Sequence, residues 1–121
     1  MSNARTATVF IKRLELSMRI GIYPHEKVAP QRVILDIEAE CALPEIMAED
    51  INQTVSYETF VTMAREIAER RHYDLIEIFC HDVMEALWED ARILRLMLQV
   101  EKPDVFKGNP ESAGVRLSWR R

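Results

Sequence analysis

Two apolar periodicities divide the chain. Leu14, Leu16, Met18, Ile20 and Ile22 alternate with Arg13, Glu15, Ser17, Arg19 and Gly21. Period two sends successive side chains to opposite faces, so this segment is predicted to be a strand with one dry face. Upstream, Val9 and Ile11 have the opposite phase, which a bulge near Lys12 would reconcile. YPHEKVAPQ, with its two prolines, reads as a turn or loop. In the second strand Val33, Leu35, Ile37, Ala39, Cys41 and Leu43 face one way and Asp36, Glu38 and Glu40 the other. PEIMAEDINQTV is then a connection, with a short helical turn expected over Glu45–Ile51.

The period then changes. After Ser56, Phe60, Met63, Ala64, Ile67 and Ala68 recur at helical spacing, with Glu66, Glu69 and Arg70 outside. Asp74 opens a second helix, striped by Leu75, Ile76, Phe79, Cys80, Val83 and Leu87, and the Asp74–Glu77 spacing fits a capping box. Alternation returns in RILRLMLQVEK, where Leu94, Leu96, Leu98 and Val100 face inward and the strand ends on Lys102 before Pro103. It returns again in VRLSWRR, where Val115, Leu117 and Trp119 alternate with Arg116, Ser118 and Arg120.

The order ββααββ predicts an α+β fold, a four-stranded antiparallel sheet with two helices on its dry face. Without repeats or a linker, residues 1–121 form one domain. The other sheet face carries Arg13, Glu15, Arg19, Asp36, Glu38, Glu40, Arg95, Gln99, Arg116 and Arg120. Mixed charge on a flat face is ordinarily just solvated. An open sheet also leaves two unpaired edges, and edge-to-edge closure with other copies into an oligomeric barrel would enclose this face around a wet lumen.

Composition narrows the partners. The net charge is -4 and no stretch is strongly basic, which speaks against nucleic acid. An apolar fraction of 48% with 30% charged residues is that of a globular domain. No apolar run approaches the roughly 20 residues of a membrane span, and MSNARTATVF lacks the apolar centre of a secretory signal, so a cytoplasmic location is expected. Cys41 and Cys80 fall on apolar faces, as buried reduced thiols do. His25, His72 and His81 show no paired ligand spacing, so no metal or other cofactor is expected.

With this order in hand, IGIYPHEKVAPQ, TVSYETF, LIEIFCHDV and VEKPDVF stand in register along nearly the whole chain. Together they resemble the dihydroneopterin aldolase family of folate biosynthesis. No one of the four is very specific; their common order and spacing are. The resemblance implies the tunnelling fold, a ββααββ subunit assembled into homotetramers, often stacked into octamers. It implies catalytic roles for Glu26, Tyr57 and Lys102, and places Glu77, with Ile76 beside it, in the substrate-binding set. The pocket would lie between subunits, the tyrosine coming from the neighbour. Many aldolases of the family have a histidine-glycine pair where this chain reads Ile20-Gly21-Ile22-Tyr23. The related dihydroneopterin triphosphate epimerases read closer to it there, and LSWRR resembles an epimerase ending.

The implied reaction is a metal-free retro-aldol cleavage of 7,8-dihydroneopterin into 6-hydroxymethyl-7,8-dihydropterin and glycolaldehyde. The ring N5=C6 imine serves as the electron sink, which leaves the protein proton transfer and positioning. Lys102 would be the base at the 2'-hydroxyl, through water, Tyr57 the acid that returns a proton to the enamine carbon, and Glu77 the acceptor of two pterin N–H bonds. Each has a plainer reading: a strand-end charge for Lys102, a helix-start aromatic for Tyr57, a cap for Glu77, solvated loop charges for Glu26 and His25. Lys107 is expected in solvent, and His81 on the polar side of its helix. A 2'-epimerase acting on the triphosphate would need cations near the pocket, for which Arg19, Lys27, Arg32 and Lys107 are available. A non-catalytic pterin- or purine-binding scaffold would need Glu77 but not Lys102.

Overall fold

The computed structural model describes residues 5–42 and 55–121. Its elements are β1 (Thr6–Met18), α1 (Pro24–Val28), β2 (Gln31–Ala42), α2 (Tyr57–Arg70), α3 (Ile76–Trp88), β3 (Ile93–Lys102) and β4 (Ala113–Arg120). The strands form one four-stranded sheet in the order β1-β2-β3-β4, each pair antiparallel. The expected architecture is the observed one. Leu43 and the helical turn expected over Glu45–Ile51 lie outside the described residues.

Alternation decides which face is dry. Val33, Leu35, Ile37, Ala39 and Cys41 of β2 and Leu96, Leu98 and Val100 of β3 are fully buried. They pack with Phe60, Ala64 and Ile67 of α2 and Phe79, Cys80, Val83 and Met84 of α3 in one core. Burying each of the larger side chains contributes about 1.5–3 kcal/mol. Both cysteines are buried thiols, as expected; burial, then the nearby charge of Glu77, pushes the Cys80 thiol up to about 12. No helix among the described residues is long and apolar enough to cross a membrane.

The phase change in β1 is real. Pairing with β2 slips between Ile11 and Leu14, and Arg13 takes φ 60 there. Its N–H, turned out of the ladder, donates to Asp36 Oδ1 at 2.6 Å. Val9, Ile11 and Leu14 thus all pack against the core despite their opposite phases.

Four local expectations are corrected. The first strand stops at Met18, not Ile22: Gly21 takes φ 124 and turns the chain, leaving Ile22 exposed. YPHEK is not an open loop but contains the short helix α1, whose first position suits Pro24 because a proline needs no hydrogen bond there. In β3 the inward residue near the start is Ile93, and Leu94 is exposed, because the ladder slips opposite Glu40 and Cys41. The capping box does not form: the N-cap of α3 is Leu75, with no side-chain cap bond. Asp74 instead faces His72 at 3.4 Å and Lys27 at 4.0 Å.

Candidate active site

The carboxylate of Glu26 is the one buried charged group among the described residues. It owes its place to three local features. Helix α1 is a single turn, which folds Glu26 back so that its Oε1 accepts the Tyr23 N–H at 3.2 Å. Gln31, opening β2, donates from Nε2 both to Ile20 O at 2.7 Å and to Glu26 Oε2 at 3.0 Å. Gly21 leaves room, because a Cβ there would collide with the Glu26 carboxyl. Only a residue without a side chain, at ease with positive φ, fits that contact.

Lys102 completes the cluster. Its Nζ donates to Glu26 Oε2 at 2.6 Å, a contact between residues 76 apart in sequence. β3 delivers Lys102 because β2 and β3 pair antiparallel, which puts the end of β3 beside the start of β2. Burial alone would raise the Glu26 carboxyl. Hydrogen bonds from Lys102, Gln31 and the Tyr23 N–H, and the Lys102 charge, outweigh it and hold the carboxyl down at about 2. Glu26 is therefore ionised at neutral pH; it is an electrostatic partner, not a proton donor.

These groups line a cavity of about 670 Å³ together with Tyr23, His25 and Lys107. The neighbouring loop is held by Asp104, which takes Arg32 Nε at 2.9 Å and Nη2 at 3.2 Å. Lys107 is exposed as expected, at the rim of this cavity. Arg32 and Lys27, two of the cations considered for a phosphate, are already paired with Asp104 and Asp74.

The remaining candidates fall elsewhere. Glu77 lies in the first turn of α3, exposed, with no hydrogen bond or ion pair to another described residue; Ile76 beside it is half-buried against the core. That turn belongs to the same end of the fold, because Tyr73 is stitched to the end of the first strand by Tyr73 N–H to Arg19 O at 2.9 Å and Gly21 N–H to Tyr73 O at 2.8 Å. Tyr57 is exposed at the start of α2, whose first turn shares a groove with Asp90, Arg92 and Ile93. Ile93 begins the strand that Lys102 ends, and nine steps of ~3.4 Å put about 30 Å between them. Within one chain, then, Glu26 and Lys102 meet, Glu77 stands at their end, and Tyr57 is at the other. His81 is exposed on α3 beside Trp119 and the carboxylates Asp82 and Glu85.

Gln31 escaped the sequence reading. Its only signal was its position after the second proline of the loop, where an amide can reach both the preceding turn and the strand beside it.

The fold and the site together define a small α+β domain with an open antiparallel sheet, a helical layer on one face and a carboxylate–ammonium pair at one sheet end. The chain belongs to the dihydroneopterin aldolase family: the model of that family, described as dihydroneopterin aldolase, matches residues 9–118. A dihydroneopterin aldolase of Methylorubrum extorquens is 30% identical over 97 residues, 78% of this chain and 75% of that protein. The dihydroneopterin triphosphate 2'-epimerase of Escherichia coli is 24% identical over 116 residues, 95% of this chain and 96% of its own. The solved structure of E. coli dihydroneopterin aldolase in complex with neopterin superposes with a TM-score of 0.84 at 22% identity, covering 93% of this chain and 98% of that one, which establishes the shared fold.

Proposed function

We propose that this protein cleaves 7,8-dihydroneopterin by a retro-aldol reaction, with Lys102 as base and Glu26 as its fixed counter-ion. The observation that carries this reading is the contact of buried Glu26 with half-buried Lys102 at 2.6 Å in the wall of a cavity. Both oxygens of Glu26 are occupied, Oε1 by the Tyr23 N–H and Oε2 by Gln31 and Lys102, so the lysine nitrogen has a defined position. With its proton released, Lys102 takes the 2'-hydroxyl proton through a water molecule. The C1'–C2' pair then moves into a C1'=C6 double bond, the N5=C6 pair moves to N5, and glycolaldehyde departs. Glu26 stabilises the ammonium so formed. Tyr57 returns a proton to C1', and Glu77 holds the pterin 2-amino group and N3–H.

Because the start of α2 lies by Ile93, at the end of β3 opposite Lys102, Tyr57 acts on the site of another subunit. The open edges of β1 and β4 and the charged sheet face support a barrel of several copies. On this reading the protein works as a homo-oligomer, of four or eight copies, among the soluble enzymes of folate biosynthesis.

A second reading has its own support. The E. coli epimerase matches end to end, and Lys107 at the cavity rim is a cation suited to a phosphorylated side chain. Reclosure of the same enamine onto the other face of the aldehyde would give the 2'-epimer.

Product identification separates the readings. Incubated with dihydroneopterin and, separately, its triphosphate, the protein should release glycolaldehyde from the first. Epimer alone, formed from the triphosphate, would favour the second, and no product from either would leave only a binding scaffold. The shared site has its own check: Tyr57→Phe and Lys102→Ala, each inactive, should recover part of the activity when mixed and reassembled. Proven subunit exchange with no recovery would put both residues on one chain.

A further inference from the structure

We propose that His72 is a positioning residue for the Glu26–Lys102 pair, acting by clamping the Gly21 carbonyl. This rests on the catalytic reading above for its effect on turnover, but not for its effect on structure. His72 Nε2 lies 2.8 Å from Gly21 O. A carbonyl oxygen only accepts, so Nε2 carries the hydrogen. The other ring nitrogen, Nδ1, is buried and has no hydrogen-bond partner among the described residues. Packing alone does not call for a histidine here, because an apolar ring of similar size would strand no nitrogen. What the imidazole supplies is the donor to Gly21.

Gly21 is where that donor matters. Its Cα is the floor on which the Glu26 carboxyl rests, so close that no Cβ is tolerated. Three bonds hold the turn: His72 to the Gly21 carbonyl, Tyr73 O to the Gly21 N–H at 2.8 Å, and Gln31 to the Ile20 carbonyl at 2.7 Å. Two of the three come from adjacent residues, His72 and Tyr73, so one extended segment grips both polar groups of one glycine. Asp74, next in line, lies 3.4 Å from the same Nε2 and reaches toward Lys27 of α1. The segment 72–74 thus joins the turn under Glu26 to α1 above it and leads directly into the first turn of α3, which carries Glu77. Loss of the His72 bond frees the carbonyl of a residue with few steric restraints. The floor then shifts, and Glu26 and Lys102 shift with it.

Two amides of different reach test this. In His72→Gln the new side-chain amide nitrogen can stand where Nε2 stands, whereas in His72→Asn it reaches only as far as Nδ1. In the assembled protein, His72→Asn should lower kcat by roughly 10–100-fold, the effect of misplacing a reacting group by an ångström, with KM for the pterin within about threefold. His72→Gln should recover most of the loss. Hydrogen exchange read by mass spectrometry over residues 19–28 should be faster in His72→Asn and near wild type in His72→Gln. Equal behaviour of the two variants in exchange overturns the clamp. A difference in exchange without one in kcat keeps the clamp and overturns its role in positioning the pair. Should the wild-type protein turn over neither substrate, the catalytic reading fails and the exchange comparison alone decides on the clamp.

Discussion

Lys102→Ala should reduce turnover by roughly 10²–10⁴, the usual worth of a positioned acid or base. The loss should sit in kcat, with pterin affinity held within a few-fold, because the group acts in the transition state. The geometry adds a complication. Lys102 neutralises Glu26, a carboxylate left only 8% exposed. Removing one member of a buried pair strands the other at a cost of about 3–5 kcal/mol, here softened by the bonds from Gln31 and Tyr23. A destabilised variant and a chemically dead one must therefore be told apart. Lys102→Arg does so: guanidinium keeps the charge and the contact with Glu26 but stays protonated at any working pH. It should melt near wild type and remain inactive. Full turnover in either variant, with dihydroneopterin or its triphosphate, would defeat the mechanism. Lys107→Ala, at the rim of the same cavity, should leave cleavage of the uncharged substrate nearly intact.

Glu77→Ala should abolish pterin binding while leaving fold and assembly in place. Two charge-assisted hydrogen bonds are worth on the order of 3–6 kcal/mol before competition from water, or about 10²–10⁴ in affinity. The cost to stability should be small, since Glu77 caps nothing and pairs with no described residue. What remains is its interaction with the start of the helix, about 0.3–1 kcal/mol. Calorimetric titration with neopterin checks the first half and a thermal melt the second. Wild-type affinity in the variant would end the anchor assignment. A collapse in melting temperature would show that Glu77 supports structure in the assembled protein.

The layout of the fold was legible because it rests on period. Strands with one wet face and helices with one dry stripe announce themselves in residues such as Leu35, Ile37 and Ala39 or Phe60, Ala64 and Ile67, and even the bulge at Lys12–Arg13 showed as a change of phase. What failed was set by contacts the alternation does not encode. Ile22 continues the pattern, yet the strand ends earlier because Gly21 turns and Ile20 is claimed by Tyr73 in a parallel bridge. Asp74 and Glu77 have capping-box spacing, yet Asp74 is drawn off by His72 and Lys27. The site was half legible. Lys102 stood out at a strand end, and the family resemblance singled out Glu26, but Gln31 and His72 come to the candidate site through bonds to backbone carbonyls distant in sequence, for which no local pattern exists.

The order of strands in the sheet bears on how the chain reaches its active form. β1 with β2, and β3 with β4, are neighbours in sequence, joined by residues 19–30 and 103–112. The seam between β2 and β3 is different, since everything from residue 43 to residue 92 lies between the two strands. Closing that long excursion carries the larger entropic cost and is the slower kind of step. Glu26 and Gln31 belong to the first hairpin and Lys102 to the second, so neither hairpin alone contains the proposed reactive pair. The lysine meets its carboxylate only when the seam has zipped to its end. On the proposed mechanism a partly folded chain, whichever half has formed, is thereby kept chemically silent.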